Sequence, residues 1–171
     1  MKPLVVLATL LVAGTVVMAQ SPVAPLPCQS AEQRQFDFWV GQWDVFGPGG
    51  EKAGINRIVS IDNGCVLLER WSGADGSTGT SLNSWDARAG QWRQHWVDNN
   101  GGLLRLAGTF VKGSMVLSSN EPHPRKPGAM LTQRIAWTPL ADGAVRQHWE
   151  RSEDDGKTWT TAFDGRYVRQ P

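Results

Sequence analysis

The side chain best placed to do chemistry is Glu69. It lies in an apolar run, 65–73, whose alternation puts Cys65, Leu67, Glu69 and Trp71 on one strand face. A carboxylate in such company needs a cationic partner or carries a raised pKa. An acid that titrates near neutrality is what general acid–base catalysis uses. Glu69 is therefore the one catalytic candidate, with Asn83 and a glutamine to orient a substrate. An internal salt bridge, or a register that turns Glu69 to solvent, are the structural alternatives. The run 78–86 offers Ser81, Asn83 and Trp85 on a common face. A few polar groups in an aromatic wall is the usual composition of a small-molecule site. Glu69, Trp71, Ser81, Asn83, Gln94, Trp96, Gln147 and Trp149 form the expected ligand-binding set. No nucleophile elbow, phosphate loop or zinc-type Cys/His spacing occurs, so neither cofactor nor metal is expected.

The two glutamines enter through an internal repeat. Arg93-Gln94-His95-Trp96 recurs as Arg146-Gln147-His148-Trp149. In 91–98, Trp92, Gln94 and Trp96 share a face opposite Arg93 and His95. In 144–153, Val145, Gln147 and Trp149 oppose Arg146 and His148. Burying tryptophan is favourable, whereas burying an unpaired arginine is costly. The Trp/Gln faces should point inward and the Arg/His faces outward. Buried amides need partners, either neighbouring polar groups or a ligand. The chain has nine tryptophans, and core filling is the default role for each.

The elements that must position these residues are short and alternating. Strands are expected at 41–46, 52–61, 65–73, 78–86, 91–98, 102–111, 114–119, 129–138, 144–153 and 157–168, divided by Gly, Asn and Asp turn signals. Ser30 and Gln33 form a capping box for one short helix, 30–38. Only 120–128, with three prolines, reads as a long irregular connection. Strands without helical crossovers imply a sandwich or a closed barrel, and no strand carries the proline or clustered lysine of a protected edge. The expected fold is all-β: an antiparallel up-and-down barrel of about ten strands with a short N-terminal helix.

Residues 1–19 read as a signal peptide, with Lys2, an apolar run and a cleavage site after Ala19. Residues 20–29 read as a Pro-rich tether and 30–171 as a single barrel domain. Lys+Arg is 17 against Asp+Glu 16, and the signal holds only Lys2, so the mature chain is neutral. Nucleic acid and anionic lipid are thus not expected partners, nor is stable membrane insertion after cleavage. In a periplasmic or secreted protein the two cysteines, Cys28 and Cys65, should pair as a disulfide. Oligomeric state leaves no signature.

The segment Phe36-Asp37-Phe38-Trp39-Val40-Gly41-Gln42-Trp43 precedes and opens the first expected strand. Its Gly-x-Trp resembles the first strand of calycins such as lipocalins and fatty-acid-binding proteins. The chain also resembles uncharacterised exported bacterial proteins that begin with Phe-Asp-Phe-Trp-x-Gly-x-Trp and have a lipocalin-like barrel. That resemblance implies a calycin-like barrel with Phe36, Phe38, Trp39 and Trp43 closing one end. It also implies an arginine packed on Trp43, for which Arg166 and Arg169 are candidates. A second, local resemblance is to the Asp-box hairpin, carried by Ser152, Asp154, Gly156 and Trp159, which implies a structural turn. Haem-binding barrels of the nitrobindin type use one histidine as iron ligand, which would need His95 or His148 inside, against the parity above, while His123 sits among prolines. The expected function is binding of a small apolar or aromatic ligand. An enzyme using Glu69, a structural or protein-interaction barrel and a haem-binding barrel are the alternatives.

Overall fold

Alternation at period two, interrupted by Gly-containing turns, leaves this chain one way to bury its tryptophans: a sheet that curls and closes. The computed structural model describes residues 27–171; the expected signal and most of the tether lie outside them. The strands are β1 (Gly41–Phe46), β2 (Lys52–Ile61), β3 (Val66–Gly73), β4 (Thr78–Asp86), β5 (Gln91–Asp98), β6 (Leu103–Val111), β7 (Ser114–Pro122), β8 (Met130–Pro139), β9 (Val145–Ser152) and β10 (Thr160–Arg169). Each pairs antiparallel with its chain neighbours, and β10 returns to β1, closing a ten-strand barrel. The β6–β7 hairpin shows how the sequence sets the turns. Lys112 (φ 50°) and Gly113 (φ 82°) both take positive φ, the type I′ geometry that matches strand twist.

Two details differ from the sequence reading. The expected helix 30–38 is instead two 3₁₀ turns, Glu32–Arg34 and Asp37–Trp39, parted at Phe36 (φ −103°, ψ 5°). The capping box forms nonetheless: Ser30 N–H donates to Gln33 Oε1 (3.2 Å) and Gln33 N–H to Ser30 Oγ (3.4 Å). A segment this short does not recover the cost of helix nucleation, so its aromatic side chains dictate the backbone. The connection expected at 120–128 is shorter, because β7 continues through Pro122.

The 3₁₀ turns plug one end of the barrel. Phe36, Trp39 and Trp43 have no exposed surface. Phe36 stacks on Trp39 (4.9 Å between centroids) and meets the edges of Trp92 and Trp137. Of the indole N–H groups that this buries, Trp43 Nε1 donates to Trp39 O (2.9 Å) and Trp92 Nε1 to Glu32 O (3.1 Å), while Trp39 Nε1 has no partner among the described residues. Cys28 and Cys65 form a disulfide, which ties the plug to the β2–β3 connection. Arg169 stacks over Trp43 at 4.3 Å and donates to Val40 O (3.1 Å). Arg166 instead pairs with Asp142 on the surface.

The outer wall carries both ion pairs and apolar side chains. Arg93–Asp86, Arg105–Glu121, Arg134–Glu150 and Arg146–Asp164 pair across it, and Ile55, Leu82, Val97 and Leu103 are exposed on it. No helix among the described residues is long and apolar enough to cross a membrane. At the β9–β10 turn Gly156 N–H donates to Ser152 Oγ (2.8 Å), Thr158 N–H to Asp154 Oδ1 (2.8 Å) and Trp159 Nε1 to Gly156 O (3.0 Å). That wraps the Asp-box residues into a closed hairpin. Its donors, led by the Thr158 hydroxyl, hold the Asp154 carboxyl down at about 2.

Candidate functional site

Up-and-down topology puts the β1–β2, β3–β4, β5–β6, β7–β8 and β9–β10 connections at the end opposite the plug. A cavity of about 520 Å³ opens there. Its walls are Trp71, Trp96, Trp137, Trp149, Phe163, Leu104 and Ile135, and Glu69, Gln94, Gln147 and Tyr167 face it as polar groups.

The cavity is kept open by glycine. Trp71 lies against Gly54 of β2, Trp96 against Gly79 of β4, and Phe163 against Gly165 of its own strand. A Cβ added at Gly54 would come within 2.7 Å of Trp71 Cη2, one at Gly165 within 2.6 Å of Phe163 Cζ, and one at Gly79 closer still to Trp96. The rings therefore lie back against bare backbone and do not stand into the lumen. The plug end, packed with Phe36, Trp39, Trp92 and Trp137, is filled.

Glu69 is 5% exposed. It accepts hydrogen bonds from Asn56 Nδ2 at Oε1 (2.7 Å) and from Ser81 Oγ at Oε2 (2.6 Å). No salt bridge among the described residues reaches it. Burial pushes its carboxyl up to about 7, although the bonds from Ser81 and Asn56 pull the other way. Behind it Asn83 Nδ2 donates to Ser81 Oγ (2.8 Å) and to Leu67 O (3.1 Å), and Gln94 Nε2 donates to Asn83 Oδ1 (2.9 Å). On the other side Asn56 Nδ2 reaches the Tyr167 hydroxyl (3.4 Å). That hydroxyl in turn donates to Gln147 Oε1, which also accepts from Trp137 Nε1 (3.1 Å). Burial and the nearby Glu69 charge raise the Tyr167 pKa, so its proton stays on. The result is one polar belt running from Gln94 through Glu69 to Gln147. Two buried atoms at its margin have no partner, Asn56 Oδ1 and Trp149 Nε1.

Of the residues expected at the site, the structure brings Glu69, Trp71, Gln94, Trp96, Gln147 and Trp149 to the cavity wall. Ser81 and Asn83 are buried in the belt beneath it. Gln94 and Trp96 come from β5, Gln147 and Trp149 from β9, four places apart in the ring. The repeat thus faces two walls with the same pair of side chains. Its arginines and histidines point outward: His95 is exposed and His148 meets Thr161 on the surface. His123 sits beside Glu153 in the β7–β8 connection, and none of the three histidines lines the cavity. Sequence reasoning missed Asn56 and Tyr167. Asn56 had a usable signal, since it shares the inward parity of Gly54 and Ile58 on β2. Tyr167 lies in phase with Phe163 on β10.

Fold and site together define a closed antiparallel barrel of the general calycin-like type, open at one end. The chain matches no protein-family model and no curated protein.

Proposed function

We propose that this is an exported binding protein that holds a small apolar or aromatic ligand inside a lipocalin-like barrel. The observation that carries the reading is the open, aromatic cavity of about 520 Å³ with a short belt of oriented polar groups in it. That is within the size range of small-molecule sites, and the composition matches them. Arg169 over Trp43 supports the likeness to lipocalin-type barrels. The disulfide and the signal-like residues 1–19 support export to the periplasm or the medium. Titration with a panel of lipids, phenolics and sugars tests it. Ligands that enter quench tryptophan fluorescence saturably, and Trp96→Leu weakens the effect. A panel that gives no saturable change sinks the reading.

One observation favours a second reading, an enzyme. A carboxyl buried in the cavity wall and held at about 7 is poised to take or give a proton. In that reading Ser81 and Asn56 orient Glu69 and Gln94 orients the substrate. Turnover of any cavity ligand with a pH profile that breaks near 7, abolished in Glu69→Gln, would establish it.

A further inference from the structure

Resting on the binding reading above, we propose that the cavity is selective for an organic cation, with a protonated amine seated at Glu69 and a flat apolar body against Trp71 and Trp96. Four observations converge on this. First, Glu69 is the one buried acid among the described residues, and its hydrogen-bond partners, Asn56 and Ser81, are both neutral. An ionised carboxylate there lacks the countercharge that buried carboxylates normally have. Second, the belt is rich in acceptors. Glu69 can accept beyond its two donors, and Asn56 Oδ1 has none. An ammonium brings three N–H donors to that deficit. Third, the indoles of Trp71 and Trp96 pack over glycines and line the cavity, and indole faces attract cations. The guanidinium of Arg151 already sits over the Trp149 ring at 4.4 Å, so the same interaction is in use on the opposite wall. Fourth, the mouth is acidic. Glu51, Asp75 and Asp98 line it against one lysine, Lys52, which is paired with Asp44 at 2.8 Å. Hydrogen bonds from Ser77 to Asp75, and from the Gly102 backbone to Asp98, keep these carboxyls ionised by lowering their pKa values.

The charged and titratable groups that line the cavity with Glu69 are Tyr167 on β10, Glu51 before β2, Lys52 on β2, Asp75 after β3 and Asp98 on β5, and Arg151 on β9 lies over the Trp149 ring. The wall residues from β6 and β8, Leu104, Ile135 and Trp137, are apolar. A carboxylate ligand would meet Glu69 and the acidic mouth together, so fatty-acid-like anions are excluded by the same charges that draw an amine in.

The test uses three probes that share a naphthylmethyl body and differ in head group: an amine, an alcohol and a carboxylate. Binding to the full mature protein is followed by tryptophan quenching and calorimetry at pH 8. The expected result is an amine bound about tenfold or more tighter than the alcohol, with the carboxylate weakest. In Glu69→Gln the amine's advantage over the alcohol disappears while alcohol binding persists, which also shows that the variant is folded. The wild-type protein gives an independent reading. An alkylammonium stays charged below a pH of about 9. Amine affinity should therefore fall as pH drops below Glu69's value of about 7, and alcohol affinity should not. An amine bound no tighter than the alcohol, a carboxylate bound best, or an amine preference that survives Glu69→Gln overturns the inference and leaves the binding reading standing. If none of the three probes binds, the inference falls, and the panel titration above decides the binding reading.

Discussion

Glu69 works against the barrel whenever it is ionised. Its carboxyl has an ordinary value of 4.5 and a folded value of about 7. Between those values the folded chain holds a proton that the unfolded chain has released, so unfolding stability falls as pH rises through that window and levels off above it. A shift of that size corresponds to roughly 3 kcal/mol. The surface acids act in the opposite direction. Asp154 sits at about 2, and Asp44, Asp86, Asp142 and Asp164 are lowered by their own donors. Their contribution is present above the usual carboxylate range and is lost as pH falls below it. Stability without ligand should therefore peak near pH 5 and decline toward pH 8. Urea titrations of the wild-type protein and Glu69→Gln at both pH values check this, and the variant, which mimics the protonated acid, should lose most of the decline. An equal decline in both would place the cause elsewhere. At this scale the sequence was informative about parity and silent about partners. Alternation alone placed Glu69, Gln94 and Gln147 inside. The donors that fix Glu69, Asn56 from β2 and Ser81 from β4, depend on register between strands, which side-chain types in one strand do not encode.

The strands themselves were legible because each is bounded by residues that tolerate positive φ, and because tryptophan and arginine have opposite preferences for the interior. The lead-in to β1 was less so. Its capping box signals a helix, yet burying Phe36 and Trp39 beside Trp92 and Trp137 overrides that local preference. What no strand announces is whether the lumen is filled or open, since that depends on where its glycines fall against aromatics of a neighbour. Gly79 decides it on one wall. Gly79→Ala keeps the extended backbone but puts a methyl where the Trp96 ring lies. The ring must swing into the cavity, so ligand affinity should fall while stability drops by about 1–3 kcal/mol, the usual cost of overpacking. Paired ligand titration and urea unfolding read the two effects; unchanged affinity would mean that Trp96 is not a ligand wall. The plug makes a separate element. Its disulfide spans 37 residues of sequence, and a loop of that length is worth about 4 kcal/mol on the chain-entropy model. Cys28→Ser with Cys65→Ser should lower the unfolding free energy by that order. Ligand affinity should stay nearly unchanged, because the plug lies at the far end from the cavity mouth.

For the molecule as a whole, closure depends on one seam. Nine of the ten strand pairings join chain neighbours through a local connection; the tenth joins β1 to β10 across almost the full described chain. That seam has only four residue pairs, Trp43 with Arg169 through Phe46 with Arg166. Every other strand pairing can form before it, and closing it carries the largest loop entropy. The seam is reinforced by side chains from the last residues. Arg169 stacks on Trp43 and donates to Val40 O, Gln170 N–H donates to Gln42 O (2.9 Å), and Gln170 Nε2 donates to Asp44 Oδ1 (2.9 Å). Arg169→Ala should therefore destabilise by about 1–2 kcal/mol, combining an exposed cation–π contact with one hydrogen bond. Arg166→Ala, three residues away, removes only an exposed pair with Asp142 and should change stability by less than about 0.5 kcal/mol. The location of the loss is the sharper readout. If the seam opens as a local unit, amide exchange in Arg169→Ala accelerates in β1 and β10 while β5 and β6 keep their protection. Uniform acceleration in all strands would instead mean that the barrel opens only by unfolding as a whole. The arginine at the seam would then stabilise the fold without gating it.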